Sequence, residues 1–232
     1  MVQPSFNGAV IDFLKILRSF EEFIFEAATW LIFYPVTMWR VLRRPLQTMA
    51  YSDAEQSEDN EHRYDDTLSP PLLLLITLLI GSAITAIAHI ATPEATSSGL
   101  RLVLASPQNT LMFRAILFSL IPLIAATSLL HRQKKALSRE SLRPPFYAQC
   151  YLAAPCALIV TAGNDIFFRP DLPNAVGAAI MLAGGTWFLV VQTLWFRRKL
   201  DVAYGAAAWI AVWGALRALA AMFVVLLAVG LS

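Results

Sequence analysis

Charge is scarce in this chain of 232 residues: Asp, Glu, Lys and Arg together make up 15%, where an ordinary soluble domain carries about 25%. A surface meant for water would need more. Cysteine is nearly absent, with Cys150 and Cys156 alone, which excludes a disulfide scaffold. The two stand six residues apart on one apolar stretch, so on different sides of a helix, and read as small apolar residues. Glycine (10) and proline (13) are too few for a collagen-like chain. A net charge of only +2 leaves no electrostatic footprint for a nucleic acid.

Catalytic signatures are missing as well. The chain has no HExxH, no GxSxG, no phosphate-binding loop, no dinucleotide fingerprint and no cluster of metal ligands. Its three histidines, His62, His89 and His131, are scattered. No catalytic residue, metal or cofactor is therefore assigned, and an enzyme is not expected. The first residues lack a basic stretch followed by an apolar core and a small-residue cleavage site, so no cleavable signal peptide is expected. Val2 rules out N-myristoylation.

Apolar residues are what the chain has in abundance, at 57% with a mean hydropathy of +0.59. A bilayer core about 30 Å thick needs about 20 residues of helix, because no backbone group can be left unpaired in hydrocarbon. Five stretches meet that length: about 70–91, 111–130, 147–168, 175–196 and 206–231. The fold class expected is therefore all-α, an integral membrane bundle of five transmembrane helices. Loop charge tests the assignment independently, because Lys and Arg near span ends stay on the cytoplasmic side. Fourteen of the 18 basic residues fall before the first span, after the second or after the fourth; only Arg101 and Arg169 fall in the other loops, and Arg114 and Arg217 lie within spans. The pattern predicts an inner-membrane protein with its N-terminus cytoplasmic and its C-terminus on the opposite side.

Residues 1–49 form a first segment in which Phe13, Leu17, Phe20, Ile24 and Leu31 recur at helical spacing opposite Asp12, Lys15, Glu22 and Glu26. It continues through Trp30, Tyr34 and Trp39 to the cluster Arg40, Arg43 and Arg44. Aromatic residues favour the headgroup level and basic clusters favour anionic lipid, so an amphipathic helix along the cytoplasmic interface is one expectation. A helix packed against the bundle is the other. Residues 50–69, rich in Asp and Glu, read as a solvated linker, and residues 70–232 as the membrane domain.

An ionisable group inside a span costs at least ~2.5 kcal/mol on insertion scales, so each is a candidate for function. Arg114, His89, Asn164 and Asp165 all fall near the outer ends of their spans, with Arg114 and Asp165 the obvious ion pair. Arg217 lies deep in the fifth span with no acidic residue at its depth in another span, and has four options: to snorkel, to bond carbonyls, to line a wet cavity, or to meet Glu26. Gln192 sits toward the inner end of the fourth span. Gly177 and Gly184 on span four, with Ala211, Gly214, Ala215 and Ala218 on span five, form small-residue stripes that predict close packing of those two helices, or a face for a partner. Pro122 and Pro155 suggest kinks in the second and third spans.

A cytoplasmic N-terminal segment, five closely spaced helices and a very short C-terminus resemble the Yip domain superfamily over about residues 65–232. The stretch Leu68-Ser69-Pro70-Pro71 before the first span and Tyr147-Ala148-Gln149-Cys150-Tyr151-Leu152-Ala153-Ala154-Pro155 at the third carry the likeness. The Asp-Leu-Tyr-Gly-Pro signature of the eukaryotic members is absent, and the resemblance implies a topology and a partner-binding role. The expected partners are the lipid bilayer and another membrane protein or a second copy of the chain. The alternative is a small transporter or channel component with Arg217, Gln192, Asn164 and Asp165 along a polar route.

Overall fold

The computed structural model describes residues 6–56, 64–88 and 97–231. Eight α-helices and no strand are found among them: α1 (Phe6–Arg43), α2 (Pro45–Glu55), α3 (Pro70–Ile87), α4 (Ser98–Leu104), α5 (Pro107–Arg132), α6 (Arg139–Phe167), α7 (Asn174–Leu200) and α8 (Tyr204–Leu231). Five of them, α3, α5, α6, α7 and α8, are long and apolar enough to cross a membrane, and they coincide with the five expected spans. The protein is an all-helical, multi-pass membrane bundle.

Helix boundaries follow local chemistry. Pro45, Pro70 and Pro107 each stand at a first helical position, where the missing N–H would have had no partner. Pro45 also stops α1, because the residue before a proline is pushed out of the helical region, and Arg44 sits at φ −137°, ψ 56°. Ser97 and Ser106 accept from the N–H groups of Leu100 and Asn109. Ser138 and Ser141 cap each other's backbone at the start of α6. Pro122 and Pro155 lie within continuous helices, α5 and α6.

Helix α6 lies at the centre. It packs against α7, α3, α5 and α2, and its run Ala148 to Ala154 is buried at every position. One core cluster joins α1, α3 and α6 through Val41, Leu73, Tyr151 and Ala154; a second joins α2, α5, α6, α7 and α8 through Met49, Leu152, Trp195, Phe196 and Ala207. Cross-helix bonds define the two ends of the bundle. At one, Lys199 Nζ meets Asp53 at 2.5 Å and Gln133 Nε2 donates to the Lys199 carbonyl at 3.3 Å. At the other, Ser97 Oγ donates to the Val229 carbonyl at 3.1 Å. The first end carries the basic loops and is called the basic end below.

Two expectations are corrected. Helices α7 and α8 pack on each other as expected, but the stripe of Gly177 and Gly184 does not face α8. A Cβ added at Gly177 would overlap the backbone of Phe167 and the Gly163 carbonyl, the latter at 2.5 Å, and one at Gly184 would lie 2.6 Å from Ile159 Cγ2. Both glycines thus let α7 close on α6, and Gly163 is their counterpart there. The small face of α8, with Ala211, Gly214 and Ala218 buried and Ala215 half-buried, seats instead the larger Ile121 of α5 and Phe188 and Phe196 of α7. Spacing along a helix reveals a small-residue face but not its partner, because the partner depends on how each helix is rotated. The division at 49/50 also falls inside α2, and Glu55 at its end is buried.

Gly177→Ala should lower thermal stability in detergent by about 1–3 kcal/mol, since backbone on the facing helix cannot yield as a side chain can. Gly185→Ala, where an added Cβ meets nothing within 4 Å, should be neutral or slightly stabilising through helix propensity. Equal losses in both variants would contradict the α6–α7 contact.

Candidate functional site

The end away from the basic loops holds a compact polar cluster. Arg114 on α5 donates through Nη1 to Ser82 Oγ at 2.8 Å, and Thr85 Oγ1 donates to Asp165 Oδ2 on α6 at 2.8 Å. Ser82 and Thr85 are one turn apart on α3, so they share a face. The expected Arg114–Asp165 ion pair is not formed: each group is held by its own α3 hydroxyl. Asp165 is buried while its neighbour Asn164 is exposed, because consecutive helical residues point about 100° apart. Asn164 therefore does not join the cluster, and His89 lies outside the described residues.

The basic end carries a denser network. Glu55 accepts from the Tyr64 N–H at 2.6 Å, and Gln56 Nε2 donates to the Tyr64 hydroxyl at 2.8 Å. Tyr64 holds this position with φ 64°, a conformation that non-glycine residues rarely adopt. Tyr151 of α6 donates to the Leu68 carbonyl at 2.8 Å, and the Leu68 N–H donates to Thr37 of α1 at 3.2 Å. Asp66 accepts from Tyr51 at 2.7 Å and Arg40 at 3.0 Å. The described parts of the expected linker are thus fastened to α1, α2 and α6. The Tyr51 hydroxyl, followed by Arg40, holds the Asp66 carboxyl below its ordinary range, whereas burial raises that of Asp53 against the opposing pull of Lys199.

The expected interfacial residues divide. Trp30 and Tyr34 pack on the bundle, with the Tyr34 hydroxyl 3.2 Å from Thr77 Oγ1 of α3. Trp39 is exposed, with the Arg43 guanidinium 4.1 Å from its ring centre; Arg44 is exposed at the α1–α2 junction. Arg143 lies over Tyr147, Arg197 over Tyr204 and Lys199 over Trp195. Such cation–π pairs keep both a charge and a ring at the level where a helix leaves the membrane.

Among the described residues Arg217 takes neither Glu26 nor any other carboxylate. A helical side chain leans toward its own N-terminus, which for α8 is the basic end, and Arg217 Nη2 donates to Ser128 Oγ of α5 at 2.7 Å. Ser128 in turn donates to the Ile124 carbonyl, so its lone pair faces the guanidinium. Arg217 lines an open cleft of about 640 Å³ with Thr127, His131, Arg132, Lys135 and Trp213. Of the four options, it leans toward its helix's basic end and lines a polar cleft.

Gln192 is buried beside α8, with Oε1 unpartnered, in a gap of about 10 Å³, room for one water. Gln149 and the Trp195 indole N–H are also buried without a partner among the described residues. Sequence reasoning missed Ser82, Thr85 and Ser128, which read as ordinary small residues of apolar helices. The available signal was that each lies on a span near one end, where a charged side chain of another helix can reach it. It also missed that Arg132 and Lys135, counted only as loop charge, come together with Arg217. Comparison with protein-family models, with curated proteins and with solved structures finds no match to this chain.

Thr85→Val should destabilise the bundle by about 1–3 kcal/mol, because it leaves a buried carboxylate oxygen without its donor; Thr85→Ser should recover most of the loss in the same melting assay. Asp66→Asn bears on pH. A carboxyl whose folded pKa is lowered stabilises above the unfolded value near 3.9 and loses that contribution as pH falls through the folded value. The wild-type advantage over Asp66→Asn should be full at pH 7 and vanish in stronger acid; an advantage that grows on acidification would contradict the Tyr51–Asp66–Arg40 arrangement.

Proposed function

We propose that this chain is a non-enzymatic multi-pass protein of the inner (cytoplasmic) membrane that acts by binding other membrane proteins or a second copy of itself, as an organising protein or an accessory subunit. The observation that carries this reading is α1. Its last turns pack on the bundle, but Phe20, Phe23, Phe25, Leu31 and Ile32 stand exposed on a helix that also bears Arg18, Glu21, Glu22 and Glu26. Apolar groups on this scale call for cover. A charged face keeps the helix from spanning lipid alone, so the headgroup layer and a partner protein are the surfaces that suit it.

The transport alternative loses support at Gln192, where the gap between α7 and α8 holds about 10 Å³. Its four residues are also dispersed: Asn164 is exposed, Asp165 is bonded to Thr85 and Arg217 opens to the basic end. The proposed orientation places the basic end, and with it the junction of α1 and α2, in the cytoplasm and the C-terminus on the far side, on the strength of the loop charges. The Yip-like likeness enters this proposal as a topology and a partner-binding role, with no residue carried over.

The test is purification of the full chain in native nanodiscs at natural abundance, with mass spectrometry and in-membrane cross-linking from α1. A stoichiometric partner or a homo-oligomer is expected, lost in the Phe20→Ser/Phe23→Ser/Leu31→Ser variant while the melting temperature of the bundle is retained. A lone monomer with unchanged behaviour in that variant would overturn the reading. Alkaline phosphatase fused to the C-terminus should be active outside the cytoplasm; an inactive fusion would reverse the orientation.

A further inference from the structure

We propose that the cleft between the end of α5 and the middle of α8 is a binding site for the phosphate of an anionic phospholipid. The proposal goes beyond the protein-binding reading and does not depend on it. Three cationic groups line this cleft, Arg217 from α8, Arg132 from the last turn of α5 and Lys135 just beyond it, beside His131. No carboxylate is among the described residues that line it. Asp53, a carboxylate within electrostatic reach of Lys135, is engaged by Lys199 at 2.5 Å. Like charges gathered in one place repel, and no counter-ion stands among the described lining residues.

Two features say that the gathering is built. The first is Arg217. A guanidinium has five N–H donors, and here one is used, on the neutral Ser128 hydroxyl at 2.7 Å. Its Cα lies about 20 Å along α8 from Tyr204, at 1.5 Å per residue, so the chain places a costly charge within a span and gives it no ion pair among the described residues. The second is the end of α5. Lys134 adopts φ 55°, and the Lys135 N–H bonds to the Leu130 carbonyl at 3.1 Å while the Lys134 N–H bonds to that of His131 at 3.2 Å. This is the Schellman closure, in which glycine is the usual residue at the left-handed position. A lysine there costs about 1 kcal/mol, and the closure turns the chain back so that Lys135 reaches the cleft. It also satisfies the helix-end carbonyls that would otherwise repel an anion.

The lipid, rather than a free anion, is indicated by the wall. Trp213 lines the cleft and stacks in parallel on Trp209, ring centres 6.1 Å apart, and both are exposed on the outer side of α8. Val212 and Leu216 are exposed around them. Tryptophan belongs at the level of the headgroups, and exposed apolar side chains beside a cationic cleft suit acyl chains descending from a phosphate. Basic pockets between helices near a membrane face recognise anionic headgroups by this combination. Arg217 and Arg132 would hold phosphate oxygens through charge-assisted bonds, with Lys135 adding charge at the rim.

The test uses the full chain in detergent and in nanodiscs, with native mass spectrometry against phosphatidylglycerol, phosphatidylcholine and inorganic phosphate. Wild type should retain phosphatidylglycerol over phosphatidylcholine by at least about tenfold, and Arg132→Gln/Arg217→Gln should abolish that preference, whereas Arg197→Gln, at the same end but away from the cleft, should keep it. Because Arg217→Gln could weaken folding, Lys135→Gln serves as the second variant, with quenching of tryptophan fluorescence by brominated phosphatidylglycerol as readout. The quenching is expected to fall in Lys135→Gln and in Trp213→Phe relative to wild type. Competition by millimolar inorganic phosphate with no preference between the two lipids would mean a soluble-anion site and overturn the lipid assignment. Equal retention of both lipids by wild type and variants, with no phosphate effect, would overturn the site altogether.

Discussion

Helix α6 can be touched by α2, α3, α5 and α7 at once because so much of its surface is small. Ala148, Cys150, Ala153, Ala154 and Ala157 are buried, and Gly163 lies where α7 comes closest. In lipid there is little hydrophobic gain in bringing helices together, since the tails are as apolar as leucine; association rests on dispersion contacts and interhelical hydrogen bonds. Both need close approach. Thr85 reaches Asp165 and Tyr151 reaches Leu68 because α3 and its lead-in lie against α6, and Arg217 reaches Ser128 because the small face of α8 lets it settle on α5.

The two ends of the bundle use this closeness differently. Away from the basic loops, Arg114 and Asp165 are each bonded to an α3 hydroxyl, which keeps two opposite charges in the bundle without bringing them into contact. At the basic end, α2 and residues 64–69 close over the helices through Tyr64, Glu55, Asp66 and Thr37. Surplus positive charge there is partly spent over aromatic rings, with Arg43, Arg143, Arg197 and Lys199 each above one. The cleft at Arg217 is the place where Arg132, Lys135 and Arg217 converge with no acid among the described lining residues. That contrast with its surroundings is what makes it a site rather than more of the same surface.

Much of this is legible in the sequence. The five spans follow from length and hydropathy because hydrocarbon permits only one backbone solution, a fully hydrogen-bonded helix, and loop charge sorts their ends. The stop at Pro45 follows from the geometry of proline and the residue before it. What misled was anything that needed a neighbour: acidic residues 50–69 read as a solvated linker, yet Glu55 is buried beneath Tyr64 and Asp66 is bonded to Arg40.

Local order, then, belongs to the chain alone: which stretches are helical and apolar, where they start and stop, how charge divides between their ends, and that Arg217 is out of place in a span. Rotation and pairing belong to the packed bundle. A 3.6-residue period marks a glycine face on α7 but cannot say whether α6 or α8 meets it, because either choice satisfies the same spacing. For the same reason Arg114 and Asp165, matched in depth and opposite in charge, meet α3 hydroxyls instead of each other, and Arg217 shares one cleft with Arg132 and Lys135, which stand far earlier in the chain.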